Sequence, residues 1–369
     1  MKNRYLSPLL FLLAASILFT FLVGEIASRI WLGYFASRDQ RYNYSLYTEI
    51  PREEWQYSPH HYLSYYLTPN YKKGFLSHNS LGFRGDYFPA KKSKGVYRIV
   101  LIGESGTYDT EISDNNKTFA ARLRDILENK YEYKNVEVVN AGVGGYNSWE
   151  SLINLEFRIL DIDPDLIIVY HGANEVHARL VIPSYYRGDN SGRRQTWFYP
   201  PIKFWQKSCL LRIITRKLGM DRQVNLEDLT AAPSTSYMYN ASGDDSDKII
   251  EVLKRNPPIY FERNLSNMIA IAKEHNIEII LATWAHSPYF NDYASTKHYE
   301  YAFRENNDVV KKVAASHKIL LFDFENVMPK DKKYWSDGRH SNEIGAQKKA
   351  ELFAEFIHRQ GLIKTPETN

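Results

Sequence analysis

The stretch Arg98–Asp109 reads RIVLIGESGTYD, and it decides how the rest of the chain is interpreted. Its first half is a continuous run of apolar residues, Ile99–Ile102, which is typical of a β-strand covered on both faces. The run ends at Gly103, and a glutamate, a serine and a second glycine follow directly. A strand followed by a simple turn explains this pattern, and so does a serine nucleophile displayed at the end of a buried strand.

From residue 97 onward, apolar runs of strand length alternate with segments of helical periodicity. The predicted strands are Arg98–Gly103, Val136–Asn140, Leu166–Tyr170, Ile277–Thr283 and Ile319–Asp323. The predicted helices are Thr118–Asn129, Trp149–Leu160, Phe261–His275, Asp308–Ser316 and Asn342–His358. Alternation of this kind predicts a parallel sheet with helices on both faces and right-handed crossovers.

Polar and glycine-rich segments follow these strands, where open parallel sheets bind their ligands. Ser105 follows the first strand, and the sequence NAGVGG, which ends in Gly145, begins at the last residue of the second strand. The sequence HGAN, which includes Asn174, follows the third strand, and DGRH, from Asp337 to His340, follows the last. Acyl transfer requires a nucleophile, a base, an orienting acid and donors for an oxyanion. The sequence offers a group for each of these roles.

Ser105 is the candidate nucleophile and His340 the candidate base, with Asp337 three residues earlier to fix the imidazole tautomer. Backbone N–H groups near Ser105 and Gly145, together with the amide of Asn174, are candidate oxyanion donors.

Each of these segments also has a structural interpretation. Gly-x-Ser after a strand is usually a turn, Asp-x-x-His is often a surface pair or a helix cap, and Gly-x-Asn is common turn chemistry. His171 and His286 are interpreted as structural, and Glu104 is expected to brace the serine loop. The functional interpretation depends on four segments that appear in order, each at the end of a predicted strand.

That ordered set resembles the SGNH/GDSL hydrolase family over residues 97–358, apart from one insertion. The resemblance implies a flavodoxin-like three-layer α/β/α sandwich with a five-stranded parallel sheet, ester hydrolysis and no cofactor. It makes Ser105, Asp337 and His340 catalytic, and it puts Ser105, Gly145 and Asn174 at the oxyanion hole. The chain departs from the family pattern at Glu104, where the family usually has Asp. The nucleophile elbow Gly-x-Ser-x-Gly of other hydrolases is not matched, because residue 107 is Thr.

The amino-terminal sequence MKNRYLSPLLFLLAASILFTFLVGE has no charged residue between Arg4 and Glu25. About 20 residues form a helix about 30 Å long, which matches a bilayer core. Residues 5–24 are therefore predicted to be an uncleaved transmembrane signal-anchor. Lys2 and Arg4 precede the run and predict a cytoplasmic amino terminus, so the rest of the chain is expected outside the cytoplasm.

The remainder of the chain divides into two predicted parts. Residues 25–96 are rich in tyrosine and are predicted to be an irregular lead-in with short strands. Residues 97–360 are predicted to form the hydrolase domain, interrupted by an insertion at about 177–257. Because a gap this long is usually functional or disordered, the insertion is interpreted as a lid with a short helix near Leu210–Leu218.

Composition excludes several classes of function. The formal net charge is +4 with no dense Lys/Arg run, so nucleic acid is not an expected partner. The single cysteine, Cys209, cannot form an internal disulfide, and no His/Asp cluster has the spacing of a metal site, so no metal is expected. The 28 Tyr, 18 Phe and 7 Trp fit a surface for sugar stacking or for a membrane interface as well as a generally tyrosine-rich composition.

The sequence therefore predicts a membrane-anchored serine esterase that acts on an ester-bearing small molecule, a lipid or an acylated saccharide of the cell envelope. An O-acyltransferase that modifies an envelope polysaccharide would use the same residues. A non-catalytic binding protein on the same fold is the other alternative.

Overall fold

The computed structural model describes residues 6–195, 201–222, 235–240 and 245–363. It divides into two compact units. One unit, called here the N-terminal unit, comprises Met1–Trp55 and Phe198–Leu229. The other, called the catalytic unit, comprises Gln56–Trp197 and Thr230–Asn369.

The secondary structure alternates between strands and helices through most of the catalytic unit. The main strands are β1 (Tyr97–Gly103), β2 (Val136–Asn140), β3 (Leu166–Tyr170), β4 (Glu278–Ala282) and β5 (Leu320–Phe322). The helices are α1 (Leu6–Ile30), α2 (Arg38–Tyr44), α3 (Ser105–Tyr108), α4 (Phe119–Asn129), α5 (Ser148–Asn154), α6 (Ala173–Arg179), α7 (Cys209–Lys217), α8 (Ser246–Arg255), α9 (Ile259–Glu274), α10 (Lys297–His317), α11 (Phe324–Val327) and α12 (Glu343–Arg359).

The five strands form one parallel sheet in the order β2-β1-β3-β4-β5. This is the flavodoxin-like order, in which the strand order reverses beside β1. Gly103 at the end of β1 pairs with Tyr170 at the end of β3, so the segments that follow these two strands start side by side. The predicted fold class is confirmed, and each predicted strand agrees with the structure to within one residue at either end.

Alternate residues of each strand enter two separate apolar cores, one on each face of the sheet. Leu101 and Ile168 belong to the core that contains α4 and α12, whereas Val100 and Ile167 belong to the core that contains α5 and α9. Side chains of successive strand residues point to opposite faces, so a strand covered on both sides must be continuously apolar. This is why the strands were recognisable as unbroken apolar runs.

Two of the predicted helices differ from those in the structure, and α6 and α8 were not predicted. The predicted helix Trp149–Leu160 is α5 followed by a π-helical turn, Leu155–Ile159. Helix α10 begins at Lys297, whereas the sequence predicted a start at Asp308. The prediction missed the first half of the helix because that half buries polar side chains, which hide the apolar periodicity. Asn307 is one of them, and its side chain bonds the backbone N–H and carbonyl of Trp284 after β4.

The N-terminal unit is built around α1, which continues into a single π-helical turn, Trp31–Phe35. The most apolar 18-residue stretch of the helix Pro8–Phe35 has a mean hydropathy of 2.4, and by length and composition this is the one described helix able to cross a membrane. Helix α7 packs on α1, where a Cβ on Gly24 would lie 2.9 Å from Cδ2 of Leu210. The Glu25 carboxylate accepts hydrogen bonds of 2.9 Å from the N–H groups of Cys209 and Leu210, so it caps the amino end of α7.

The two compact units divide two of the predicted segments, whose functional boundaries stay a prediction. Residues up to Trp55 of the predicted lead-in group with the anchor helix, and the rest groups with the sheet. The short helix expected within the insertion is confirmed as α7, but it belongs to the N-terminal unit. Residues 196–200, 223–234 and 241–244 of the predicted lid, and residue 5 of the predicted anchor, lie outside the described residues.

Candidate active site

Ser105 is the first residue of α3 and follows β1 after a single intervening residue, Glu104. The backbone packs so closely here that a Cβ on Gly103 would clash with the Thr107 side chain and with the carbonyl oxygen of Tyr170. Glycine is therefore required at the end of β1 by this close approach. Ser105 is only half-buried, whereas its neighbours on both sides are buried, so its hydroxyl is accessible at the carboxyl end of the strand.

The structure brings Ser105, His340 and Asp337 into one chain of hydrogen bonds. His340 Nε2 lies 2.8 Å from Ser105 Oγ, and His340 Nδ1 lies 2.7 Å from Asp337 Oδ2. The other carboxylate oxygen, Oδ1, accepts hydrogen bonds of 2.7 Å from the backbone N–H groups of Arg339 and His340. The three-residue spacing thus forms a tight turn in which the carboxylate and the imidazole face each other.

These contacts also determine the charge of Asp337. Burial by itself raises the pKa of the carboxyl group, but the hydrogen bond and charge of His340 and the two backbone N–H groups outweigh it. The pKa of Asp337 is consequently lowered below its ordinary value. Asp337 is therefore ionised at neutral pH and accepts the Nδ1 proton of His340, which leaves Nε2 with its lone pair toward Ser105.

The turn that carries Asp337 and His340 is fixed from outside. Asp292 Oδ2 accepts a 2.8 Å hydrogen bond from the N–H of Gly338, and the carbonyl of Gly338 accepts a 2.9 Å hydrogen bond from the N–H of Ser287. The turn is thus fastened to the segments that follow β4, and its side chains are held against the end of β1.

Three candidate oxyanion donors remain available. Among the described residues, the N–H of Ser105, the N–H of Gly145 and the side-chain amide of Asn174 donate no hydrogen bond to another residue. Gly145 has a φ of +82°, and a Cβ at this position would clash with the Tyr65 hydroxyl. The position therefore requires glycine for two independent reasons.

Glu104 joins two of the site loops, as the sequence interpretation expected of a bracing residue. Its carboxylate accepts hydrogen bonds of 2.7, 2.8 and 2.7 Å from the backbone N–H groups of Gly172, Ala173 and Asn174 at the amino end of α6. Burial raises the pKa of Glu104, and the three N–H donors oppose this rise. The longer side chain that stands in place of the usual Asp therefore caps the helix that carries Asn174.

His171 and His286 are held by contacts with neighbouring side chains other than Ser105, Asp337 and His340. His171 is buried with Nε2 2.9 Å from Ser151 Oγ, and burial lowers its pKa to about 3. The ring of His286 packs on Phe303 at 4.7 Å, and burial followed by the charge of Lys330 lowers its pKa to about 4. Both rings are therefore neutral at physiological pH.

One group of described residues has the composition of a metal site. A carboxylate oxygen of Glu111, one of Asp337 and a ring nitrogen of His340 lie within 4.8 Å of one another. Both ring nitrogens of His340 already have partners, Asp337 and Ser105. A metal ion bound to this ring would have to displace Asp337 or Ser105 from it. The positions of Asp337 and His340 are therefore explained better by their hydrogen bonds than by a metal site.

Several residues at the site were missed by sequence reasoning. Tyr65, from the tyrosine-rich lead-in, donates a 2.5 Å hydrogen bond to the carbonyl of Gly144 beside the candidate oxyanion glycine. Arg84 donates to the carbonyls of Tyr108 and Asp109 at 2.8 Å and so holds the end of α3. Both residues come from irregular segments, where no periodicity marks a buried position.

Glu175, next to Asn174 in α6, supplies a test of the site's electrostatics. It is buried, its Oε1 accepts from the N–H of Ser148, and burial together with the nearby carboxylates raises its pKa to about 8. Between the ordinary value of 4.5 and about 8, the folded protein holds a proton that the unfolded chain has lost. The free energy of unfolding therefore falls as the pH rises through this window.

We expect Glu175→Gln to remove this dependence, because the amide oxygen still accepts from Ser148 and carries no charge. The variant should match the wild-type protein near pH 5 and exceed it by roughly 1–3 kcal/mol near pH 9. Urea unfolding in detergent at the two pH values measures the difference. A variant less stable than wild type at pH 9 would contradict this expectation. It would show that ionisation of Glu175 in the folded protein does not lower the free energy of unfolding.

Comparison with known proteins identifies the family of the chain. The model of the GDSL-like lipase/acylhydrolase family matches residues 101–348, which include every candidate catalytic residue. No curated protein matches the chain.

Several solved structures are similar to the chain. A lipase/acylhydrolase from Enterococcus faecalis has 18% sequence identity and a TM-score of 0.44, covering 74% of this chain and 100% of its own. A GDSL-like lipase from Bacteroides thetaiotaomicron has 14% identity and a TM-score of 0.38, covering 72% and 87%. An acetylxylan esterase from Geobacillus stearothermophilus has 14% identity and a TM-score of 0.42, covering 75% and 100%. The family match over residues 101–348 is the decisive finding, and this chain belongs to the GDSL-like lipase/acylhydrolase family of ester hydrolases.

Proposed function

We propose that the chain is a serine esterase that cleaves its substrate through a covalent acyl-enzyme on Ser105. The observation that carries the proposal is the unbroken chain of hydrogen bonds from Asp337 through His340 to Ser105, at 2.7 and 2.8 Å. A hydroxyl is a weak nucleophile unless a base removes its proton as the new bond forms. His340 Nε2 is in contact with that proton.

Acylation begins when Ser105 Oγ attacks the ester carbonyl carbon and its proton passes to His340 Nε2. The carbonyl oxygen becomes an oxyanion, and the negative Asp337 stabilises the imidazolium that has formed. When the carbon–oxygen bond to the alcohol breaks, Nε2 returns the proton to the departing oxygen. The alcohol leaves and Ser105 carries the acyl group as an ester.

Deacylation repeats these steps with water. Water attacks the acyl carbon and gives a proton to His340 Nε2, and a second oxyanion forms. The bond to Ser105 Oγ then breaks, and Nε2 returns the proton to the serine. The acid is released and the enzyme is regenerated, so each cycle consumes one ester and one water.

The oxyanion of both steps would be held by the N–H groups of Ser105 and Gly145 and by the amide of Asn174. All three donors lack another partner among the described residues, which supports this role. Donors fixed in advance stabilise the charge as it develops and need no reorganisation during the reaction.

Asn174→Ala should lower kcat by about 10²–10³ with little change in KM, because the lost hydrogen bond strengthens only in the transition state. Steady-state kinetics and a melting temperature on the same preparation make the measurement. If Asn174 only closes the turn after β3, the variant will melt at a lower temperature and keep nearly normal kcat.

The substrate is proposed to be an ester of the cell envelope, either an acylated saccharide or a lipid ester. This step is supported by the candidate membrane helix and by exposed aromatic pairs on the catalytic unit. The rings of Tyr62 and Phe157, for example, stack at 5.6 Å with both side chains exposed.

A panel of aryl esters of increasing chain length, together with acetylated and deacetylated glycans, tests the proposed activity. Wild-type protein should release free acid from at least one ester, and the Ser105→Ala variant should not. Products are identified by mass spectrometry, because water and a sugar hydroxyl compete for the same acyl-enzyme. Acylated sugar as the main product would favour the O-acyltransferase instead, and no turnover of any ester would contradict both.

We also propose that α1 anchors the protein and that the catalytic unit lies outside the cytoplasm. The apolar side chains of α1 are exposed along its length. Helix α7 packs against Gly24 and Glu25, so lipid does not surround the helix there. This supports the proposal that the membrane-spanning segment ends near residue 24. The basic residues Lys2 and Arg4 before the helix support a cytoplasmic amino terminus.

Protease added to spheroplasts should therefore digest the chain beyond residue 24 while a cytoplasmic marker stays intact. The protein should stay in the membrane fraction after a carbonate wash, because a spanning helix resists extraction. Recovery in the soluble fraction at full length, or protection from protease until the cells are lysed, would contradict the proposed location.

A further inference from the structure

Two consecutive arginines within the insertion contact two different residues of the candidate oxyanion hole. Arg193 Nη1 donates to the backbone carbonyl of Asn174 at 3.4 Å, and Nη2 to the side-chain oxygen Oδ1 at 3.5 Å. Arg194 Nη2 donates to the backbone carbonyl of Gly145. The segments that follow β2 and β3 are thus each held by one of two adjacent side chains.

Both arginines are fixed within the catalytic unit. Arg193 is only 7% exposed, and its carbonyl accepts a 3.0 Å hydrogen bond from the N–H of Thr235, later in the same insertion. Arg194 pairs with the buried Glu150 at 3.2 Å and lies over the ring of Tyr65. Long side chains this deeply buried have lost their conformational freedom, so they can define the position of what they touch.

The contact with Arg193 decides which way the Asn174 amide points. A guanidinium group has only donors, so the atom of the amide that faces it must be the oxygen. Rotating the amide by half a turn would bring its N–H₂ against the guanidinium, with donor facing donor. Arg193 therefore keeps Oδ1 toward itself and turns Nδ2 away, and Nδ2 is the atom that has no partner among the described residues.

We propose that Arg193 and Arg194 are positioning residues that set the oxyanion donors, and that this part of the insertion is required for catalysis. The proposal rests on the proposed function, because it assigns Arg193 a role through Asn174. Arg193 orients the amide of Asn174, and Arg194 holds the peptide that follows Gly145. Neither side chain needs to touch the substrate.

Arg193 gives the cleaner test, since Arg194 also pairs with Glu150. Arg193→Met keeps an unbranched side chain but removes every donor, whereas Arg193→Lys restores a cationic donor group, the ammonium. Arg193→Met should lower kcat about 10- to 100-fold with KM within about threefold. The reason is that an Asn174 amide pointing the wrong way stabilises the oxyanion little better than no amide at all. Arg193→Lys should recover part of that loss.

A double variant separates positioning from a general structural role. If Arg193 acts through Asn174, Arg193→Met should change kcat by less than about twofold in the Asn174→Ala background. Arg98→Met is the matched control: Arg98 is also fully buried and paired with Glu137 at 2.7 Å, but it lies near the start of β1, away from the serine. Its kcat per folded molecule should equal that of wild type.

Two results would overturn the proposal while leaving the esterase intact. One is a folded Arg193→Met protein whose kcat stays within threefold of wild type. The other is an equal loss in kcat with and without Asn174, which would show that the two residues act independently. A wild-type protein that neither hydrolyses any ester nor reacts with a phosphonate at Ser105 would instead overturn the proposed function, and the positioning role with it.

Discussion

Ser105→Ala is expected to lower kcat by a factor on the order of 10⁶, the largest effect of any single change. The substitution removes the nucleophile, and water would have to attack without a covalent intermediate. The hydroxyl bonds His340 alone among the described side chains, so the fold should be unaffected. The expected result is a protein with wild-type circular dichroism and melting temperature whose only remaining turnover is the small residue that the oxyanion donors and substrate binding still support.

Ser316→Ala is a suitable control for this variant. Ser316 Oγ donates to the carbonyl of Val313 near the end of α10, so its loss changes a serine without changing the proposed machinery. It should retain full kcat. If Ser105→Ala keeps more than about a hundredth of wild-type kcat at equal purity, Ser105 is not the nucleophile.

Asp337→Asn is expected to have the second largest effect, a loss in kcat on the order of 10⁴. The structure explains why such a conservative change should be severe. Oδ1 accepts from two backbone N–H groups, so an asparagine must keep its oxygen there and turn its N–H₂ toward His340 Nδ1. Nδ1 must then accept, the ring proton moves to Nε2, and Nε2 can no longer take the proton of Ser105.

Asp337→Asn should also be recognisable by its kinetics and by the tautomer of His340. The fold and the ester-binding surfaces are unchanged, so KM should stay near the wild-type value while kcat falls. NMR of the imidazole nitrogens should show the proton shifted from Nδ1 to Nε2. A loss of only about tenfold, or an unchanged tautomer, would remove Asp337 from this role and leave His340 as the base.

The sheet and the core of the site could be predicted because they depend on patterns that a single sequence displays. Strands covered on both faces must be continuously apolar, and parallel strands deliver their carboxyl ends to one edge. Ser105, Asn174 and Asp337 each follow such a strand, so their proximity was predictable even though residue 337 is distant in sequence. The order β2-β1-β3-β4-β5 agrees with the family resemblance.

The parts that sequence reasoning missed are those in which polar groups are buried. The first half of helix α10 was missed because its buried face carries polar residues. Asn306 and Asn307 on this face donate hydrogen bonds to backbone carbonyls in the interior. Arg84 and Arg193 are buried in irregular segments, where their partners are carbonyl groups set by the fold and not by nearby sequence. Such contacts leave no period to detect.

The insertion is the clearest example. Its length was interpreted as that of a lid, and its described residues include two features that length does not indicate. Helix α7 packs on the anchor helix within the N-terminal unit, and Arg193 and Arg194 reach the segments that carry Asn174 and Gly145. Length alone indicated that the segment was functional, but only the contacts distinguish a packing element from a part of the site.

The proposed role of Ser105 as the nucleophile is tested most directly by the mass of the enzyme after reaction with an alkyl fluorophosphonate. The reagent phosphonylates an activated serine and mimics the tetrahedral intermediate of acylation. We expect one adduct per chain, mapped by peptide sequencing to Ser105, and no adduct on the folded Ser105→Ala variant. An adduct at any other residue, or equal labelling of Ser105→Ala, would contradict it.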